Sequence, residues 1–410
     1  MKILIVSQYF WPESFRINDV VSSLVEKGVV VDVLTGKPNY PDGIIFNGYS
    51  AWNCQIENKY GSNIYRVPLI PRGNKSKIML ALNYLSFIFF GMIQGAWMVR
   101  KNKYDLVFVY GLSPILLSLP GIFISKIKGI QIILWVQDLW PESLIATKSI
   151  NNKIVIVLVG KLVKWIYKSM DLILVQSKSF IDEVKKMAIE KEVKYYPNSV
   201  DSSFYNYSLK NIININSLFK NDDNFEVVFA GNVGIGQGLE VIVEVAKLLS
   251  MYGNIKFIIY GSGSRLDWLT EQKNKYNLNG IVLKGRHPVE SMPQILSNAS
   301  ALLVTLSDEP IFAKTIPNKI QAYLAVGRPI LACLNGEGAR IVNEAKAGIT
   351  VSAGDSKGLS EAILKLYQLP IGERVMYGKN GRDFYERNFQ HNKLVDILIS
   401  EFENLIQKNK

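Results

Sequence analysis

The chain has 410 residues, 48% hydrophobic and 20% charged, a balance that fits a folded globular protein and excludes a disordered or collagen-like one. Cys54 and Cys333 are far apart and join no CxxC or Cys/His cluster, so a disulfide framework and a structural zinc site lack support and a reducing, cytosolic setting is the default. The net charge of +12 is uneven, with 24 Lys/Arg against 14 Asp/Glu in residues 1–200 and 23 against 21 in residues 201–410. Such a basic half attracts nucleic acid, anionic lipid or phosphorylated substrates, and composition does not choose among them.

At this length two domains are expected. Met1-Lys2 runs straight into the strand-like ILIVS, with no signal peptide pattern. After a loop, Ile17, Val20, Val21, Leu24 and Val25 fall on one helical face, Gly28 can end that helix, and Val29 to Thr35 supplies a second strand. Strand, helix, strand in this order is the opening βαβ unit of a parallel sheet. Further buried strands are expected at Asp105 to Tyr110, Ile132 to Val136 and Asp171 to Gln176.

Ile78 to Val99 contains no charge and is flanked by Arg72, Lys75 and Lys77 before it and Arg100, Lys101 and Lys103 after it. Its length permits a bilayer span, but Asn83, Ser86 and Gln94 interrupt it and it lies between strands of one sheet, which favours a buried or interfacial helix. Lys153, Lys161, Lys164 and Lys168 fall within about 80° of one another on a helix, among Val155, Ile156, Val159, Val163 and Ile166. The segment is either a basic amphipathic helix lying on anionic lipid or an ordinary solvated lysine face.

After a polar, Asn-rich stretch at 208–224 the pattern restarts with a strand at Glu226 to Gly231, a Gly-rich loop, and a helix carrying Leu239, Ile242, Val243 and Ala246. Strands at Lys256 to Gly261, Ile281 to Gly285, Ala301 to Leu306 and Pro329 to Leu334 follow, so two doubly wound domains are expected to face each other across a cleft.

GNVGIGQG (Gly231 to Gly238) joins a strand to a helix, where small residues let N–H groups and a helix N-terminus approach phosphate; a tight turn without a ligand is the alternative. YGSGSR repeats the arrangement and adds Arg265. WVQDLWPES places Asp138 and Glu142 just past a buried strand, either to orient hydroxyls and accept a proton or simply to start the next helix at Pro141. WPES recurs at Trp11 to Ser14, making Glu13 and Arg16 further candidates. With His287 and His391 as the only histidines and no Asp-x-Asp pair, metal-independent chemistry is expected.

These motifs, together with KPNYPDG (Lys37 to Gly43), PNSVD (Pro197 to Asp201), Gly285-Arg286 and IPNKIQAYLAVGRPIL (Ile316 to Leu331), resemble in order and spacing glycosyltransferase family 4. These are retaining GT-B enzymes, and the resemblance is closer to the WbuB-like L-fucosamine transferases of O-antigen biosynthesis. It covers nearly the whole chain. It implies an α/β GT-B fold of two Rossmann-like domains: an acceptor domain at 1–205, joined by a returning helix at 384–410, and a nucleotide-sugar domain at 206–383.

Carried over residue by residue, the resemblance puts Gly231, Asn232 and Gly234 at the donor diphosphate, Gly261 and Gly263 at the nucleotide, Arg286 and His287 at the base, and Glu309 at the ribose. Asp138 and Glu13 would border the acceptor with Arg16, Gln137 and Glu142. The family's pair of glutamates is replaced by Lys314 and Ala322, its donor-loop lysine by Gln237, and its histidine before aspartate by Gln137. Charge for the diphosphate is therefore expected from Lys319, Lys314, Arg265 and Arg16, beside Asn318.

The resemblance implies a UDP-sugar donor, in particular UDP-N-acetyl-L-fucosamine, and an undecaprenyl-diphosphate-linked acceptor. It implies no cofactor or metal, and peripheral attachment to the inner leaflet of the cytoplasmic membrane; no nucleic-acid partner is expected, because the aromatics form no RNP or other recognised motif. The competing expectations are a UDP-N-acetylglucosamine 2-epimerase on the same architecture and a non-catalytic membrane-bound partner of a sugar-transfer complex.

Overall fold

The apolar runs become the inner strands of two separate sheets in a computed structural model that describes residues 1–73, 76–146, 152–200 and 224–408. The first sheet contains β1 (Lys2–Val6), β2 (Val30–Thr35), β3 (Gln55–Lys59), β4 (Ser62–Arg66), β5 (Leu106–Gly111), β6 (Gln131–Val136), β7 (Leu172–Val175) and β8 (Glu192–Tyr195). Their spatial order is β3-β4-β2-β1-β5-β6-β7-β8, parallel except for the antiparallel β3–β4 pair. The second sheet contains β9 (Phe225–Ala230), β10 (Ile255–Tyr260), β11 (Ile281–Gly285), β12 (Ala301–Thr305), β13 (Ile330–Cys333) and β14 (Gly348–Val351), ordered β11-β10-β9-β12-β13-β14 and wholly parallel. In each sheet the order reverses beside its first strand, and ligands of open α/β sheets bind at the carboxyl ends next to that reversal.

Every strand expected from the sequence is present. β3, β4, β8 and β14 are additional; all lie at or next to a sheet edge, and none carries a continuous apolar run that would mark it.

The chain divides into Met1–Pro197 with Asn392–Lys410, and Asn198–His391. The expected boundary at 205/206 lies outside the described residues. The expected crossing at Phe384 falls inside helix Ile371–Asn388, which belongs to the second unit. There Arg382 donates to the Ala325 carbonyl, and a Cβ on Gly378 would lie 2.0 Å from the Gly327 carbonyl oxygen, so this helix is packed directly on helix Asn318–Val326. The chain returns to the first unit only with the following helix, His391–Gln407. Its Leu394, Val395, Leu398 and Phe402 join Ile17, Val20 and Val21 of helix Ile17–Glu26 in the core on one face of the first sheet.

The uncharged segment forms helix Lys77–Phe90, a π-turn at Gly91–Gly95 and a last turn at Ala96–Met98. This is one helix long and apolar enough to cross a membrane. Its buried side is tied into the first unit: Gln8 donates to Asn83 Oδ1 at 2.7 Å, and Asn83 donates to the Ile70 carbonyl at 2.6 Å. Gly91 and Gly95 let it approach Pro120 and Leu34, which a Cβ would meet at 2.8 and 2.9 Å.

Helix Lys153–Lys168 keeps its four lysines exposed, but Val163 and Ile166 turn into the core. The apolar residues exposed on this helix are Ile154, Val155, Val157, Leu158 and Trp165, of which only Val155 was among those expected.

Phe402 is fully buried, with its ring 5.3 Å from that of Phe108 and edge-on to it. Phe402→Ala is expected to destabilise the first unit by about 3–5 kcal/mol in denaturant unfolding, because the returning helix loses its largest core contact.

Candidate functional site

In the second unit the site grows from close backbone approach at the carboxyl ends of β9 and β10. Gly231 N–H donates to the Tyr260 carbonyl at 2.9 Å, and Val233 N–H to the Ser262 carbonyl at 2.9 Å. A Cβ at Gly261 would lie 1.8 Å from the Gly231 oxygen and one at Gly263 2.4 Å from the Val233 oxygen, so both positions require glycine. The loop then runs through a short 3₁₀ turn, Ile235–Gln237, to Gly238 at φ 59°, which opens helix Leu239–Leu248. Thr305, the last residue of β12, and Ser307 just after it hold this loop through the Gln237 carbonyl at 2.5 Å and the Ile235 carbonyl at 3.1 Å.

Lys319, in the first turn of helix Asn318–Val326, lies beneath the loop. Its Nζ donates to Gln237 Oε1 at 2.6 Å and sits 3.4 Å from the centre of the Phe229 ring, while a Cβ at Gly231 would be 2.8 Å from its Cε. Burial holds this ammonium well below the usual lysine range. Two helix N-termini, glycine N–H groups and one half-buried lysine thus border the same loop, an arrangement suited to a diphosphate.

The structure therefore gathers Gly231, Asn232, Gly234, Gln237, Gly261, Gly263, Asn318 and Lys319 at one place. Asn232 lies against both Gly234 and Gly263, and Asn318 Oδ1 accepts from Asn198 at 3.0 Å. Arg286 and His287 follow β11 on the exposed surface, the histidine ring edge-on to Tyr260 at 5.0 Å. Glu309 immediately precedes the short helix Pro310–Lys314, whose last residue is Lys314, and its side chain makes no capping bond to it. Arg265 is placed differently from the expectation: its guanidinium pairs with Glu240 and stacks on Trp268 at 3.8 Å. Phe229 and Tyr323, whose hydroxyl accepts from Ala230 N–H at 3.2 Å, escaped the sequence reading because each reads as an ordinary core aromatic.

In the first unit, Asp138 follows β6, and burial raises its carboxyl to about 6. Asp138, Arg16 and Asp19 all act electrostatically on Tyr110 at the end of β5. Gln137 N–H extends the sheet by donating to the Gly111 carbonyl at 3.1 Å. Glu142 starts the short helix Glu142–Ala146 and, like Asp138, acts on Tyr167.

Glu13 is engaged elsewhere. Its Oε1 accepts N–H groups of Asn39 and Tyr40 at 2.8 and 2.7 Å, and burial raises it to about 7 against the opposing pull of those bonds and of Arg66. Around it lie groups not singled out from the sequence. Arg66, fully buried, donates to Glu57 at 2.5 Å, to the Gly36 carbonyl at 3.0 Å and to the Trp11 carbonyl. Lys37, pushed down to about 8 by burial and by Arg66, donates to Gln55 at 3.0 Å. Tyr9 stacks on Phe15 at 4.9 Å, with Tyr40 tilted against both and Arg72 over the Tyr40 ring at 5.0 Å. The KPNYPDG motif was the available signal for Lys37, Asn39 and Tyr40. Among the described residues no three His, Cys, Asp or Glu side chains gather as metal ligands.

Residues 224–369 match the family described as glycosyl transferases group 1. Over 349 residues the chain is 26% identical to a protein of Escherichia coli (strain K12) named as a colanic acid biosynthesis glycosyl transferase, WcaI, covering 80% of this chain and 82% of that one. Among solved structures, sucrose-phosphate synthase from Thermosynechococcus elongatus superposes with a TM-score of 0.75 at 16% identity, covering 99% of both chains. HepE from Anabaena, solved with UDP, gives a TM-score of 0.67 at 13% identity over 98% of this chain and 100% of that one. The fold is the two-domain GT-B fold, and the chain is by class a glycosyltransferase.

Two outcomes are expected. Because the Glu13 carboxyl is raised from 4.5 to about 7, the folded state binds its proton more tightly than the unfolded chain, and stability falls as pH rises through that window. Glu13→Gln retains an acceptor for both N–H groups, so denaturant melts are expected to show it more stable than the parent above pH 7 and equal to it near pH 4.5. Lys319→Met, which keeps the side-chain length and removes the charge, is expected to weaken nucleoside diphosphate binding about tenfold in titration calorimetry, the loss of one charge-assisted hydrogen bond of about 1.5 kcal/mol.

Proposed function

We propose that this glycosyltransferase moves a sugar, with retention, from a UDP-sugar to an undecaprenyl-diphosphate-linked acceptor in surface polysaccharide biosynthesis. The observation that carries the reading is the Lys319 ammonium, held beneath the Gly231–Gly238 loop at the start of helix Asn318–Val326. A UDP complex of a protein with the same fold and the colanic acid role in the name of a relative support the donor class and the biosynthetic setting. UDP-N-acetyl-L-fucosamine is the donor that the motif resemblance favours, and O-antigen its product class.

The chemistry follows from where charge develops. As the acceptor hydroxyl approaches the anomeric carbon, the bond from that carbon to the diphosphate oxygen breaks and negative charge grows on the diphosphate. Lys319, the loop N–H groups and the two helix N-termini stabilise that charge. The hydroxyl attacks on the face from which the diphosphate departs and gives its proton to a diphosphate oxygen, which preserves the configuration. Asp138 offers a carboxylate to orient the acceptor, and Glu13 shapes the acceptor side through the loop bearing Asn39 and Tyr40. No step calls for a cofactor or metal. The basic first unit suits an anionic lipid-linked acceptor at the inner face of the cytoplasmic membrane, where the protein acts as a peripheral enzyme.

The test is nucleotide release from a panel of UDP- and GDP-sugars with an N-acetylhexosamine-diphosphate-lipid acceptor. Acceptor-dependent product is expected with a UDP-sugar; conversion of the donor alone would indicate an epimerase, and binding without reaction a non-catalytic partner. Lys319→Ala is expected to slow turnover roughly a hundredfold while leaving the melting curve nearly unchanged. With Asp138 at about 6 and active as the carboxylate, turnover should fall about tenfold per pH unit below that value. Asp138→Asn should be slow at every pH and lose this acid limb.

A further inference from the structure

The first unit carries a basic cavity that the proposed chemistry does not use. It lies at the amino ends of β5 and β6, has a volume of about 610 Å³, and is walled by Arg100, Lys101, Lys103 and Lys128 with Ile124 and Ile127. The acidic side chain in its wall, Asp105, is already engaged: its Oδ2 accepts the Lys2 backbone N–H at 2.7 Å. Lys128 is held in place by the carbonyls of Asn102 and Arg100 at 2.7 and 3.3 Å, and Arg100 stacks on Trp97 at 3.8 Å. Lys101 and Lys103 stand exposed at the rim. Asp138 lies past the opposite end of β6, one strand length away, roughly 20 Å for six residues.

Apolar surface adjoins this cavity on two sides. Along the uncharged helix, Ile78, Leu82, Leu85, Phe89, Ile93 and Trp97 are exposed. The last four recur every fourth residue, and the π-turn at Gly91–Gly95 takes up the excess over the α-helical repeat, so they stay in one stripe. On the other side, exposed Ile127 lines the cavity, and its neighbour Lys126 lies over the Trp165 ring at 5.1 Å. Trp165, Leu158 and Ile154 follow one another up the exposed side of helix Lys153–Lys168, beside its lysines.

A cavity of four cations between two apolar stripes matches a lipid surface, where phosphate lies at the depth of the polar headgroups and acyl chains begin beneath it. We propose that this cavity seats the phosphate headgroup of an anionic phospholipid while the two flanking helices rest their apolar stripes in the bilayer interface. The proposal deepens the membrane attachment in the proposed function, on which it rests, and is independent of the donor chemistry.

The test is co-sedimentation of the full chain with vesicles of phosphatidylcholine alone or mixed with phosphatidylglycerol, at low salt and at about 0.5 M NaCl, where diffuse attraction is screened within a few ångströms. Retention by the phosphatidylglycerol vesicles at both salt levels is expected. At high salt, Lys101→Ala/Lys103→Ala should lower partitioning about tenfold, the loss of one direct charge-assisted hydrogen bond to the phosphate, while Lys161→Ala/Lys164→Ala leaves it unchanged. Equal loss in both pairs would overturn the seat in favour of diffuse attraction, and equal retention by neutral vesicles would overturn the headgroup. Release of bound protein by millimolar inorganic phosphate, absent in the Lys101/Lys103 variant, would reassign the cavity to a soluble anion. Nucleotide release with a short-chain, water-soluble acceptor should be identical in parent and Lys101→Ala/Lys103→Ala, so failure of the lipid seat and failure of the transfer reaction register separately.

Discussion

A lysine ammonium half-buried against the face of Phe229 sets the terms for the loop above it. A cation partly withdrawn from water needs a hydrogen-bond acceptor and a polarisable neighbour, which Gln237 Oε1 and the aromatic ring provide. At Gly231 a φ of 130° disfavours any side chain, and at Gly261 and Gly263 the turn of the loop back over β10 leaves no room for one. The glycines of this region are thus explained by backbone conformation and by the crowding of loop against loop, before any ligand is considered. The same contact suits a glutamine at position 237. A lysine there would set a second cation beside Lys319, and like charges at that distance repel. Glutamine accepts the hydrogen bond instead, and the positive charge comes from helix Asn318–Val326.

The first unit distributes its polar chemistry by strand end. At the carboxyl ends, buried ionic groups are matched within the fold: Glu13 by two backbone N–H groups, Arg66 by Glu57 and two carbonyls, Lys37 by Gln55. These bonds draw together the loops after β1 and β2 and the β3–β4 pair. Breaking one partner leaves a buried charge uncompensated, so the loops behave as one body. At the amino ends of β5 and β6 the cations instead face a cavity and an apolar surface. The excess positive charge of the first half therefore has two roles: internal lysine and arginine organise loops, and external ones face outward.

Much of the fold was legible because inner strands of parallel sheets are buried on both faces and read as unbroken apolar runs. The edge strands were not, since β3 and β8 alternate or mix polar residues and match no such run. The crossing back to the first unit was misplaced by a few residues for a related reason. Both terminal helices carry apolar faces, and only the contact of Gly378 and Arg382 with helix Asn318–Val326 assigns the earlier one to the second unit.

For the site, residue types at strand ends pointed to the Gly231–Gly238 loop and Asp138, because glycine and isolated charges after apolar runs carry a local signal, whereas Lys319 was named only through the motif resemblance. What each charge faces is a matter of tertiary distance. Arg265 and Lys319 look alike as cations near glycine-rich turns, yet one pairs with Glu240 and the other lies beneath the loop. Helical angles placed the lysines of helix Lys153–Lys168 on one face, but which apolar residues stay exposed beside them depends on what that helix packs against. The sequence by itself determined the order of elements, the two parallel sheets and the chemical types at the strand ends, since these follow from local periodicity. The pairing of charges, the glycine contacts and the joining of Arg100 to Lys128 in one cavity arise between segments distant in the chain, where the packed structure alone decides.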